Sequence, residues 1–289
     1  MQKLDNRYSF VIQSYDRIDS AVKLIIQLSN FSKYGDIYLS DSGGRSKNIF
    51  DKEIIKKTGA IIDFKYIDNS KYKNFISHMW NIYSLDLKNM FLFHDDDLVI
   101  ESSFLNVLNL LIENKEIKYL CSTKRGNSIF LDNFENLSAQ EKINQILKIY
   151  FLSHNRNCLL ITGLFSRHPG MLRKEVDSNF CIDGKYLDVP LLAWIFSQNK
   201  SKIFSDSYMK HIDHDSNDNL ERSLKDRINL EKFIKKQPGV LNKIIARLIF
   251  YGYKEKRKYF LSGILFSLFH PPIWIHLFNK FFNRLLSGS

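Results

Sequence analysis

Cysteine is scarce. Cys121, Cys158 and Cys181 are the only three, they lie far apart, and no Cys-x-x-Cys pair occurs. A zinc knuckle and a disulfide framework are therefore not expected; small semi-buried thiols in a reducing compartment are. No Gly/Ser linker divides the chain, and no fixed-period repeat runs through it. Nothing forms a helix-turn-helix, finger or RNA-recognition signature. Met1 to Arg7 is polar and lacks the form of a secretory signal, so a cytoplasmic location is expected.

What is present points to a folded protein with an anionic partner. Of 289 residues, 44% are hydrophobic, enough for a sizeable core in one large α/β domain plus an appendage. The net charge of +11 suits a polyanion: nucleic acid, an acidic membrane surface or a phosphorylated small molecule. The missing nucleic-acid signatures disfavour the first of these.

The most telling stretch is Phe91–Ile100, Phe-Leu-Phe-His-Asp-Asp-Asp-Leu-Val-Ile. An apolar run from Met90 to Phe93 reads as a buried strand. It ends in three adjacent carboxylates, Asp95, Asp96 and Asp97. Their charges repel, and burying them unpaired is unfavourable. A hard divalent cation removes that penalty and is often shared with substrate phosphates. The other reading is a polar turn in which Asp97 or Ser102 starts the next helix.

Periodicity predicts strands over Tyr8 to Gln13, Asp36 to Leu39, Ala60 to Ile67, Met90 to Phe93 and Tyr119 to Ser122. Helices are predicted over Ile18 to Leu28, Ile49 to Lys57, Lys71 to Leu85 and Phe104 to Ile112. Leu159 to Gly163 is apolar, Lys202 to Phe204 reads as a short edge strand, and His211 to Asp215 as a polar loop. Strands alternating with helices predict βαβ units and a mostly parallel sheet. Polar clusters follow the first, second and fourth strands, at Ser14–Arg17, Ser40–Gly44 and His94–Asp97. In a parallel sheet those three ends share one edge, where ligands bind.

This layout resembles the GT-A glycosyltransferases, in particular the family 2-like bacterial enzymes that build surface polysaccharides, over roughly Tyr8 to Asp215. Ser14-Tyr15-Asp16-Arg17 resembles the Thr-Tyr-Asn-Arg that ends the family's first strand. Ser40-Asp41-Ser42-Gly43-Gly44 resembles its Asp-Asp-Gly-Ser turn, and Asp95-Asp96-Asp97 its Asp-x-Asp motif. Gly163-Leu164-Phe165-Ser166-Arg167 resembles the glycine-led strand under the acceptor site. The resemblance implies an α/β GT-A fold, Rossmann-like, with a mostly parallel central sheet flanked by helices. It would occupy residues 1–237, and residues 238–289 would form a helical, amphipathic extension.

The resemblance also implies the reaction. A sugar would pass from a nucleotide-diphosphate sugar, expected to be a UDP-sugar, to a hydroxyl of a glycan or lipid-linked acceptor, with inversion. Mn2+ or Mg2+ would hold the diphosphate. Ser14, Tyr15, Arg17, Asp41, Asp95 and Asp96 are implied for the nucleotide sugar. Asp97 is implied as the principal metal ligand, with Asp95 in its shell and His211 or His214 as a late ligand. Gly163 and Arg167 are implied near the acceptor. Asp188 falls where the family places its catalytic base, although Leu187 replaces the Glu that often precedes it. Helix capping before Pro190 is the plainer role for Asp188.

From Leu241 onward the character changes. The basic cluster Lys254-Glu255-Lys256-Arg257-Lys258 precedes Tyr259 to Asn279, which carries no Asp, Glu, Lys or Arg. That run approaches the roughly 20 residues a spanning helix needs, but Pro271-Pro272 interrupts it. Two amphipathic segments at an anionic membrane surface fit better and predict peripheral attachment at the inner face of the cytoplasmic membrane. A nucleotidyltransferase on a related fold is the alternative enzyme, though no glycine-rich basic loop follows the first strand. A non-catalytic scaffold in a polysaccharide assembly complex is the alternative outside catalysis.

Overall fold

The computed structural model describes residues 7–15, 17–72, 75–123, 136–143, 159–171, 191–192, 195, 198, 200–204 and 207–211. Cys158, Cys181, Asp188, His214 and the whole extension from 238 onward lie outside them.

The first strand, β1 (Tyr8–Ser14), is buried along its whole length. Such a run needs cover on both faces, so it belongs at the centre of a sheet. It pairs in parallel with β2 (Gly35–Asp41) on one side and β4 (Met90–His94) on the other. Beyond β2 lies β3 (Lys65–Asp68). Beyond β4 come β7 (Leu159–Ser166), β6 (Tyr119–Thr123) and β8 (Ser201–Phe204), giving seven strands in the order β3-β2-β1-β4-β7-β6-β8. All run the same way except β7, which is antiparallel to both neighbours. The expected mostly parallel α/β sheet is what the chain forms.

Side chains alternate across this sheet, as the two-residue period requires. Phe10, Ile12, Phe91 and Phe93 enter one core; Val11, Met90 and Leu92 enter the other. On the first face lie α1 (Ile18–Ser29) and α4 (Glu101–Glu113). Helix α1 buries Ala21, Val22, Leu24, Ile25 and Leu28, a stripe at helical spacing. Helix α4 brings Phe104 edge-on to Phe91 at 5.1 Å between ring centroids and to Phe10 at 5.7 Å. Fully burying such a ring stabilises the fold by about 1.5–3 kcal/mol. Helix α3 (Phe75–Tyr83) covers the other face through Met79, Trp80, Ile82 and Tyr83.

Three expectations are corrected. The strand predicted over Ala60 to Ile67 starts only at Lys65. Before it, α2 (Lys47–Thr58) ends on Gly59 in the left-handed conformation, φ 69°, and the chain then crosses the surface irregularly, with Ile61 in solvent and Phe64 back in the core. Helix α4 starts neither at Asp97 nor at Ser102; its N-cap is Ile100. And the residues around His211 are not all loop. Asp97–Val99 forms β5, antiparallel to β9 (Met209–His211), as a separate two-stranded sheet.

Candidate active site

The ends of β1, β2 and β4 are level. Ser14 stands beside Asp41, and Gln13 beside His94. The chain crosses between them by backbone hydrogen bonds from Asp95 N to the Gln13 carbonyl, 3.1 Å, and from Ser42 N to the Ser14 carbonyl, 3.0 Å. The three polar clusters thus share one edge, as parallel pairing predicts.

The acidic turn divides its carboxylates among different partners. Asp95 is buried, and its Oδ2 accepts from Ser14 Oγ at 3.0 Å and Tyr15 N at 3.2 Å. Burial, the largest influence, raises its pKa; the bond from the Tyr15 backbone works against that. Asp96 Oδ2 accepts from Arg17 Nη1 at 2.5 Å. Asp97 is 1% exposed, and its Oδ2 accepts from His94 N at 2.7 Å, closing the turn between β4 and β5.

His94, Asp96 and Asp97 each bring a ligand atom within 4.8 Å of the others. Two carboxylates and an imidazole fit a divalent ion, and hard oxygen ligands favour Mg2+ or Mn2+. The expected set differed. Asp95, expected both on the donor and in the metal shell, is turned toward β1, and Asp96, expected on the donor, is the one grouped with His94 and Asp97. A two-residue turn at Asp95 and Asp96 breaks the strand alternation that would have sent Asp95 and Asp97 the same way. His94 was expected in this polar cluster but not among the candidate ligands, because it reads as the polar end of an apolar run. Its place directly before the triplet was the available signal.

His211 stands opposite Asp97 in the β5–β9 register. That strand is held by Tyr208, whose backbone carbonyl accepts from Ile100 N at 3.0 Å and whose hydroxyl donates to the Gly163 carbonyl at 2.6 Å. Gly163 has φ +73° at an irregularity in the β6–β7 pairing, and a Cβ there would meet Met209 Sδ at 1.9 Å. It lies beneath the edge and supports β9.

Asp41 is fully buried at the end of β2. Arg45 donates to it twice, from its backbone N and from Nη1, each at 3.1 Å, and Tyr66 Oη donates at 3.3 Å. Arg45 Nη1 also donates to the Tyr15 carbonyl at 2.9 Å, so it joins the β1 and β2 loops. Gly43 permits this, since a Cβ there would lie 2.2 Å from Arg45 Nη1. The Tyr15 side chain is exposed at the rim. Behind the loops, Ser40 Oγ and His78 Nε2 are 2.7 Å apart, and Asn69 Nδ2 donates to Ser40 Oγ at 2.7 Å. Burial, with His94 nearby, lowers the His78 pKa to about 4. Neither Arg45 nor this network stood out in the sequence.

Arg167 is not brought to this edge. It follows β7 at the opposite side of the sheet, where it donates to the Ile117 carbonyl at 2.9 Å and to Asn89 Oδ1 at 3.0 Å. Because β7 runs against β4, its end meets the start of β4.

No protein-family model and no curated protein matches the chain. Among solved structures it is similar to residues 1–349 of TarS from S. aureus, with a TM-score of 0.52 and 13% identity over 87% of this chain and 72% of that one. It is also similar to glucosyl-3-phosphoglycerate synthase from Mycobacterium tuberculosis, solved with Mn2+, UDP and phosphoglyceric acid, with a TM-score of 0.51 and 11% identity over 82% of this chain and 81% of that one. The topology and these likenesses together give the chain a GT-A fold.

Proposed function

We propose that the chain is a metal-dependent glycosyltransferase. It moves a sugar from a nucleotide-diphosphate sugar, a UDP-sugar, to a hydroxyl of a glycan or lipid-linked acceptor in bacterial surface polysaccharide synthesis. The observation that carries this reading is the His94, Asp96 and Asp97 group at the carboxyl edge of a parallel sheet. The synthase of the same fold solved with Mn2+ and UDP supports it.

A divalent ion bound there supplies Lewis-acid stabilisation of the departing diphosphate, worth several kcal/mol of barrier. The chain's own residues prepare the edge. Ser14 and the Tyr15 backbone fix Asp95, and Asp97 fixes the turn that presents His94 and Asp96. Asp41 acts with Arg45, the pair joining the two loops that receive the nucleotide. Asp188 is the general base, a role that contributes on the order of 10²–10⁴ in rate. A single base opposite the leaving group gives inversion. His211 or His214 completes the metal shell, and the basic, aromatic extension holds the enzyme at the inner membrane surface. Among the described residues no helix is long and apolar enough to cross a membrane.

The test is thermal stabilisation by a panel of nucleotide diphosphates with and without Mn2+. Selective binding to the native state raises the melting temperature. The expected result is a shift that needs nucleotide and metal together. No shift with any pair removes the reading. NMR of the product linkage distinguishes inversion from retention.

A further inference from the structure

Arg17 immediately precedes α1, where its carbonyl accepts from Ala21 N at 3.0 Å. Its side chain is 39% exposed and reaches back across the strand ends. The single nitrogen Nη1 lies 2.5 Å from Asp96 Oδ2 and 3.7 Å from Asp95 Oδ1. Asp96 therefore belongs to two sets. It is the anion of the Arg17 pair, and it is one of the three residues whose ligand atoms lie within 4.8 Å of one another. One carboxylate cannot give its full charge to a guanidinium and a divalent ion at once. The two cations also repel at a separation well inside the screening length of about 10 Å at 0.1 M salt.

We propose that Arg17 is the resident counter-cation of the acidic turn and makes metal binding conditional on a diphosphate; this rests on the glycosyltransferase reading above. Before ligands arrive, Arg17 offsets part of the charge of Asp95 and Asp96. A divalent ion arriving alone would compete with the guanidinium for the Asp96 charge and leave Arg17 only its longer, 3.7 Å contact with Asp95. A diphosphate brings oxygens that a guanidinium binds in bidentate fashion. Arg17 then passes from carboxylate to phosphate as the ion takes Asp96. Metal and diphosphate bind cooperatively, each raising the affinity for the other by the same factor. An Arg17 that only braced the turn against α1 would act with the opposite sign, since its loss would loosen the metal ligands.

The experiment is Mn2+ titration followed by electron paramagnetic resonance of the free ion. The full-length protein is titrated with and without UDP, correcting for Mn2+ bound by UDP in solution, and compared with Arg17→Gln and Arg17→Lys. With no nucleotide present, Arg17→Gln is expected to bind Mn2+ about tenfold more tightly than the native protein, because one repelling charge is gone. The further tightening that UDP brings should shrink in Arg17→Gln and be retained in Arg17→Lys. Equal or weaker Mn2+ binding by Arg17→Gln alone overturns the role of Arg17 and leaves the proposed function standing. Failure of the native protein to bind Mn2+ even with UDP overturns the glycosyltransferase reading and this inference with it.

Discussion

Asp97 and His211 are register partners in the antiparallel sheet formed by β5 and β9. Directly opposite residues have Cβ atoms about 4.5–5.5 Å apart. One is the acidic residue that closes the turn after the central strand; the other lies more than a hundred positions later. Asp97→Asn keeps an oxygen to accept the His94 N–H and removes the charge. It should unfold in urea close to the native midpoint while losing the Mn2+-dependent thermal shift. Asp97→Ala also leaves that partly buried N–H without this acceptor, at an additional cost of about 1 kcal/mol.

Stability should fall with acid through His78. Its pKa in the folded protein is lowered to about 4 from an ordinary 6.5, mainly by burial. The folded state therefore favours the neutral ring. The ring's contribution is full above pH 6.5 and is lost as pH falls toward 4. The linked change is about 3 kcal/mol if the whole shift is realised. Urea midpoints from pH 7 to pH 4 should show this slope in the native protein. His78→Gln, which offers a polar atom to Ser40 without titrating, should flatten it.

Gly163→Ala should destabilise the protein by about 1–3 kcal/mol, through positive φ and overpacking. The added methyl group would also press Met209 and displace β9. Chemical denaturation measures the first effect. Weaker Mn2+ binding in the folded variant would report the second.

Arg45→Met should leave the Asp41 carboxylate buried without its cation. Breaking a buried pair in this way is destabilising by about 3–5 kcal/mol. The double variant Arg45→Met with Asp41→Asn should recover a substantial part of that loss. A denaturation cycle over the four proteins measures the coupling, and a coupling near zero would mean the pair does not hold the two loops together.

Removing the chain from Lys254 onward should release the protein from liposomes rich in anionic lipid. Each basic residue near such a surface contributes about 1 kcal/mol. Unchanged co-sedimentation after truncation would remove the extension from membrane attachment.

The framework was legible where periodicity was long. Strands β1, β2 and β4 and helices α1 and α4 all carry apolar residues at a clear spacing, so the shared edge followed from strand order alone. Strands β5 and β9 are three residues each, too short for any period, and only their pairing defines them. The partition of the acidic turn was also hidden. Three identical side chains in a row say nothing about which meets Ser14, which meets Arg17 and which closes the turn. Ser40 and His78, 38 positions apart, meet only because α3 packs on the sheet at β1, the neighbour of β2.

The reversal of β7 settles where variation can enter. Strand β6 stops at Thr123 and β7 begins at Leu159, and these two residues are register partners. The intervening 35 residues, 124–158, thus depart from and return to the same rim as the acidic turn. A change confined to this stretch leaves the pairing of β1 with β2 and β4, and with it the edge that carries His94, Asp96 and Asp97, as it is.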